Sequence, residues 1–318
     1  MNRIEQAYEL VKRAQADGAV GLLEQGGNAG EADCWVELAT WFLGGQIVPR
    51  DLARSRECFR RAGEAGHQRA RSIYVALLAN GTGGPSDWQG ALTMLTGLAA
   101  TDKDAAEELA VLGRMAIDGA GEPAALASPE QLSDAPEVSL FRQLFTKEEC
   151  SYLIARSVPR FRPSVIVDPA SGELRPHPVR TSDNSFFPWI DETPAIHALN
   201  RRIAAASGTD VHAGEPLQVL RYRPGQEYRP HHDALPHTDN QRILTMLVYL
   251  NDQYEGGETL FLSTGLKVKG RIGDALLFRN ADVDGKPDPL AQHAGLPVTA
   301  GEKLLASRWI HEKRFGPL

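Results

Sequence analysis

Tyr228-Arg229-Pro230-His231-His232-Asp233 is the stretch on which the reading of this 318-residue chain turns. His231 and Asp233 stand two apart. Alternate side chains of a strand share one face, so both are expected to reach one centre while His232 turns away. With a second imidazole, such a pair becomes the facial set that binds non-haem Fe(II) and leaves other positions open. Zinc accepts the same donors, so the set alone does not fix the metal. Two later fragments answer the first: Gln292-His293-Ala294-Gly295 and Gly301-Glu302-Lys303.

The surroundings read as strands. Leu217 to Tyr222 is one, Pro224-Gly225 is a turn, and Tyr228 to Asp233 follows as another. Arg242 to Leu250 is a long apolar strand. Gly256-Gly257 turns into a strand ending at Phe261, Asp274 to Phe278 adds one more, and Leu304 to Ile310 closes the series. Short strands at regular intervals, broken by Gly and Pro, predict a sandwich or jelly-roll barrel.

Five ordered blocks, "LQVLRYRPGQEYRPHHD", "RILTMLVYLND", "GGETLF", "GDALLF" and "HAGLPVTAGEKLLASRWIHE", together resemble the prolyl 4-hydroxylase-like group of Fe(II)- and 2-oxoglutarate-dependent dioxygenases. The resemblance runs from Val138 to Phe315. It implies a double-stranded β-helix with His231, Asp233 and His293 as iron ligands. Lys303, ten residues after His293, would then pair with the distal carboxylate of 2-oxoglutarate. A buried lysine needs such a counter-charge. The Leu296–Gly301 stretch would reverse the chain and bring Lys303 back beside the His293 strand. Tyr222 and Thr259 match positions whose hydroxyls bond the same carboxylate. Tyr228, Arg242, Trp309 and His311 match positions that face a bound peptidyl proline, and Glu215 one that orients the arginine. The implied reaction consumes O2 and 2-oxoglutarate, releases CO2 and succinate, and hydroxylates an unactivated C–H bond, with ascorbate as a reductant. Only Ala234 to Gln241 separate Asp233 from Arg242, where many relatives carry a longer insertion at the edge of the substrate groove.

Composition bounds the rest. With 42% hydrophobic and 24% charged residues the chain is ordinary for a globular protein, and its length suffices for two cores. A net charge of -7 argues against a general nucleic-acid binder, which carries a basic surface. No apolar run approaches membrane-spanning length, and the first residues lack the apolar core of a signal peptide. Cys34, Cys58 and Cys150 are few and odd in number. A reduced, cytoplasmic protein without nucleic-acid or membrane partners is therefore expected.

The expected organisation is α+β: an all-α domain over 1–117, a connection over 118–137, and the barrel over 138–318. Ile4, Ala7, Tyr8, Val11 and Ala14 fall at helical spacing. Gly45 to Gly81 and Asp51 to Asp87 are both steps of 36 residues, in units reading helix, Gly-rich turn, helix. That period means stacked helix pairs. They are similar to tetratricopeptide repeats of the Sel-one-like class, with Ser55 standing where that class usually has Ala. Such arrays bind peptides or partner proteins, or merely cap and assemble. Trp35, Trp41 and Trp88 sit on apolar helical faces and are expected in the core. Residues 118–137 are rich in Gly, Ala, Ser and Pro. Thr146 and Glu149 form a capping box that opens a helix carrying Leu153 and Ile154. Arg180-Thr181-Ser182 resembles a family segment bordering the mouth of the site, and Asp168 to Glu173, before it, is a candidate flap.

Three functional readings follow. The first is a peptidyl- or protein-prolyl hydroxylase whose repeats help to recruit the target. The second is a hydroxylase of a free amino acid or small metabolite. The third is a repeat adaptor with a degenerate barrel, against which the intact set Tyr222, His231, Asp233, Thr259, His293 and Lys303 speaks. An oxidative halogenase would lack the Asp233 carboxylate, and a zinc hydrolase would give Lys303 no role.

Overall fold

The computed structural model of the protein describes residues 1–126, 128–167, 174–176, 179–282 and 284–316. The fold is α+β and divides into two compact units. One comprises Met1–Gly113 together with Trp189–His197, the other Arg114–Pro188 together with Ala198–Gly316. Among the described residues no helix is long and apolar enough to cross a membrane. The candidate flap at 168–173 lies outside the described residues.

The first unit carries α1 (Arg3–Lys12), α2 (Ala16–Asn28), α3 (Ala32–Gly44), α4 (Leu52–Glu64), α5 (Gln68–Asn80), α6 (Trp88–Ala99) and α7 (Lys103–Leu112). Local chemistry sets their ends. Gly45 and Gly81 cap α3 and α5 in the left-handed region, φ 77° and 75°, which glycine enters without a Cβ penalty. The Asp51 and Asp87 side chains accept from the third backbone N–H of α4 and α6. The step of 36 residues is therefore a repetition of backbone geometry. Leu23, Leu38, Phe42, Phe59 and Leu77 are buried with Trp35 and Trp41 in one core, and Trp88 is buried too. Asn80 is buried; its amide donates to the Trp189 carbonyl at 2.8 Å, and its oxygen accepts from the Thr82 N–H at 3.0 Å.

The second unit is built on β1 (Glu130–Asp134), β2 (Glu137–Phe141), β3 (Arg162–Pro163), β4 (Asp183–Phe187), β5 (Leu217–Tyr222), β6 (Tyr228–His231), β7 (Arg242–Tyr249), β8 (Thr259–Phe261), β9 (Lys267–Val268), β10 (Ala275–Arg279), β11 (His293–Gly295) and β12 (Lys303–His311). Within the expected connection, β1 already pairs with β2. The major sheet has the order β1-β2-β10-β7-β12-β5-β4-β3, and the minor sheet β9-β8-β11-β6. Short ladders join Tyr254–Gly256 to Val298–Gly301 and Val165–Val167 to Leu174–Pro176. Helix α8 (Lys147–Ser157) opens on the capping box of Thr146 and Glu149. Helix α9 (Pro194–Ser207) follows β4, and its Arg202 pairs with Glu149, both buried. Phe261, Phe278, Leu276, Tyr249 and Leu247 fill the space beside the sheets.

The return of the chain after His293 differs from the expectation. Val298–Gly301 pairs with Tyr254–Gly256, and Gly301 turns at φ 73°. The chain then enters β12, which lies between β7 and β5 in the major sheet, not beside β11 in the minor one. The physical reason is length: β12 has nine residues, eight of them buried, and needs long neighbours on both sides, which only the major sheet offers. His293 and Lys303 are thus carried by different sheets.

Candidate metal centre

Strand β6 pairs with β11 in a register that sets His231 opposite His293. Strand β6 ends at His231, so Asp233 lies in the bend beyond it rather than on the strand. The alternation nevertheless holds: Asp233 is buried and His232 exposed. One donor atom from each of His231, Asp233 and His293 can be chosen so that all lie within 4.8 Å of one another. This is the only such group of three among the described residues.

The imidazoles are oriented from behind. His231 Nδ1 lies 2.8 Å from the Arg229 carbonyl and His293 Nδ1 lies 3.0 Å from that of Ala291. A carbonyl only accepts, so each Nδ1 carries the proton and each Nε2 turns a lone pair toward Asp233. The Nε2 atoms are 3.5 and 3.7 Å from its carboxylate oxygens. Burial lowers the His293 pKa to about 4, which keeps the ring neutral and ready to ligate. Burial opposes ionisation of Asp233. The Thr245 hydroxyl, donating to Oδ2, favours the ionised form, and the carboxyl is held below its usual range.

One cavity is lined by the three donors, by Tyr222, Thr259 and Lys303, and by Tyr228 and Trp309. Lys303 faces Tyr222 across β12 and β5, and it is 3% exposed. Its ammonium donates to the Gly257 carbonyl at 2.7 Å and lies 5.6 Å from the Tyr222 ring centre. No carboxylate pairs with it among the described residues. Burial therefore lowers its pKa to about 8, with Glu258 pulling the other way. Burial likewise pushes the Tyr222 hydroxyl up to about 12. A cation with two hydroxyl side chains near it, in a cavity that also holds a metal-binding triad, suits a dianion that chelates at one end and is charge-paired at the other.

The substrate candidates divide. Tyr228 and Trp309 line the cavity, each with a face already covered. The His231 ring stacks on Tyr228 at 3.4 Å between centres, and the Arg242 guanidinium lies 3.8 Å over Trp309. Arg242, Glu215 and His311 are not on the cavity wall. Glu215 takes Arg242 Nη2 at 3.1 Å and His311 Nε2 at 2.8 Å, so the expected Glu215–Arg242 pair is present with His311 as a third member. Burial opposes the charge on Glu215, but these two hydrogen bonds more than offset it and lower its pKa.

Sequence reasoning gave no role to three groups, though it placed the Arg180 segment at the mouth of the site. Arg180 is buried and lines the cavity, with its guanidinium 5.6 Å from the Tyr228 ring centre. The Gly257 carbonyl was read only as part of a turn. The Thr245 hydroxyl donates to Asp233 Oδ2 at 2.7 Å and accepts from Asn280 Nδ2 at 2.8 Å. Thr245 had left a signal, a polar residue in the middle of an apolar strand; Asn280 had left none.

Residues 217–311 match the family described as the 2OG-Fe(II) oxygenase superfamily. The chain is 39% identical over 204 residues to prolyl 4-hydroxylase 1 of Arabidopsis thaliana, covering 58% of this chain and 72% of that one. It is 36% identical over 206 residues to probable prolyl 4-hydroxylase 3 of the same plant, covering 57% and 71%. Among solved structures it is similar to the viral collagen prolyl hydroxylase of Paramecium Bursaria Chlorella virus-1 in complex with 2OG. The identity there is 29%, the coverage 57% of this chain and 98% of that one, and the TM-score 0.45. The chain belongs to the prolyl 4-hydroxylase family of 2OG-Fe(II) oxygenases. It is a dioxygenase that uses Fe(II), 2-oxoglutarate and O2, and the residues present fit both metal and cosubstrate.

Proposed function

We propose that the protein hydroxylates a prolyl residue in a peptide or protein. The observation that carries this reading is one cavity holding His231, Asp233 and His293 within 4.8 Å beside a buried, carboxylate-free Lys303. In a family of prolyl hydroxylases that arrangement needs an iron, a dianionic cosubstrate and a target. His231, Asp233 and His293 would hold Fe(II), which when bound with 2-oxoglutarate and O2 supplies the oxidising power to break a C–H bond. Lys303, Tyr222 and Thr259 would hold the far carboxylate of 2-oxoglutarate. Tyr228 and the uncovered face of Trp309 would flank a pyrrolidine ring. Glu215 fixes the Arg242 guanidinium, whose free N–H groups are suited to a peptide carbonyl, and His311 locks that pair from behind.

The helical unit, which we read as tetratricopeptide-like, would recruit the target. It carries a cavity of its own, lined by residues of α2, the end of α3 and the start of α4, among them Phe42, Arg50 and Arg54. Cys34, Cys58 and Cys150 are all free and buried, which fits a reducing compartment, and we place the protein in the cytoplasm.

The test begins without oxygen. Fe(II) and 2-oxoglutarate together are expected to give a weak visible charge-transfer band. Air, with ascorbate as reductant, is then expected to release succinate, and His231→Ala to abolish both signals. Captured partner proteins are expected to gain one oxygen on proline by mass spectrometry. Turnover of free proline with no modified protein would reject the peptidyl reading.

A further inference from the structure

We propose that Thr245 and Asn280 form a positioning relay that holds Asp233 to the metal through a single carboxylate oxygen, keeping one position free for O2. The inference rests on the iron site assigned above. Thr245 stands in the centre of β7, between Phe278 of β10 and Trp309 of β12 in the paired registers, and its side chain is fully buried. It touches two partners, Asp233 Oδ2 at 2.7 Å and Asn280 Nδ2 at 2.8 Å. A hydroxyl carries one proton, and a metal-binding carboxylate carries none. The proton between Thr245 and Asp233 must therefore be the hydroxyl's, and the Asn280 contact must be protonated by the amide. The opposite amide orientation would leave one of the two contacts without a hydrogen. Asn280 thus aims the Thr245 hydroxyl at Oδ2, at the expense of its own Oδ1, which is buried without a partner.

The consequence is one of coordination number. Two imidazoles and one carboxylate oxygen would supply three donors to Fe(II), leaving room for a chelating cosubstrate and for O2. A carboxylate that turned to bind through both oxygens would close the room left for O2. The hydrogen bond to Oδ2 opposes such a turn, because it would have to break between two buried side chains. Asn280 has no place on the cavity wall, so its effect on O2 access passes entirely through Thr245 and Asp233.

The test uses the full-length protein, loaded anaerobically with Fe(II) and 2-oxoglutarate, with nitric oxide as a spectroscopic probe of the remaining position. Thr245→Val removes the proton. Asn280→Asp keeps the shape but replaces the donor with an acceptor, so the hydroxyl turns away from Asp233. Both variants are expected to bind Fe(II) within threefold of the parent and to keep the charge-transfer band. Both are expected to bind nitric oxide at least tenfold more weakly, and Thr245→Ser is expected to restore it. Should Thr245→Val fail to fold by circular dichroism, Asn280→Asp and Thr245→Ser carry the comparison. Nitric oxide binding that matches the parent in the folded variants overturns the relay, as does loss of the metal itself. Absence of the band in the parent overturns the iron site instead, which separates the two failures.

Discussion

If Lys303 anchors the cosubstrate as proposed, binding should depend on pH. Its ammonium is buried against the Gly257 carbonyl, and burial lowers its pKa from the usual 10.5 to about 8. That gap corresponds to about 3 kcal/mol against the charged form. Between the two values the folded chain binds fewer protons than the unfolded one. Stability of the ligand-free protein therefore rises with pH across that window, and the full cost of the buried charge is present below about pH 8. Only the charged lysine can pair with the cosubstrate carboxylate. The competent fraction falls from roughly nine-tenths at pH 7 to roughly one-tenth at pH 9, so affinity for 2-oxoglutarate should weaken about tenfold. Above pH 8 binding should also draw in close to one proton per site. Anaerobic calorimetry of the metal-loaded protein, in two buffers of different ionisation enthalpy, reads both quantities. Lys303→Met should bind roughly a hundredfold more weakly, with no pH dependence, and should be more stable than the parent at pH 7 without ligand. An affinity for the parent that stays flat from pH 7 to 9, with no proton uptake, would refute the reasoning.

Tyr222→Phe removes one hydroxyl from the cavity that holds Lys303 and should cost about 1 kcal/mol of binding, seen as a roughly fivefold higher KM for 2-oxoglutarate with kcat unchanged in a succinate assay. Gly257→Ala should weaken cosubstrate binding and destabilise the fold by about 1–3 kcal/mol, seen as a lower Tm. The glycine sits at φ 70°, and a Cβ there would meet the Lys303 Cδ at 3.2 Å. Asn80→Ala should destabilise the helical unit by about 1–3 kcal/mol in a denaturant titration, since it strands the Trp189 carbonyl and the Thr82 N–H.

Strands β5, β6, β7, β8, β10 and β12 were legible as short runs set off by Gly or Pro, and because the period of two survives small errors of boundary, whereas β1 to β4 and β9 carried no such signal. The pair His231 and Asp233 shows this tolerance: the strand stops between them, yet both converge. Pro230 was no obstacle, since β6 is an edge strand of the minor sheet, and the Val179–Thr181 segment bridged to its other side bonds through Glu227 and Arg229, not Pro230. The 36-residue step of the helical unit was legible through its glycines and aspartates, which fix backbone conformation locally. What sequence could not give is which sheet a strand joins. The return of β12 was read from turn residues alone, and these do not encode the partner. The cluster of Glu215, Arg242 and His311 joins residues far apart in the chain and was reached only through resemblance. Asn280 was invisible because its single contact with the site runs through another side chain.

The division of the cavity between two sheets has a mechanical side. The metal donors belong to the minor sheet or the bend that leaves it, and its strands are only two to four residues long. Lys303 belongs to the middle of the eight-stranded sheet. A molecule gripped at both ends would act as a strut between a stiff wall and a slight one, clamping the slight wall in place. Backbone amides of β6 and β11 should then exchange with deuterium more slowly once metal and 2-oxoglutarate are both present, while those of β7 and β12 hardly change.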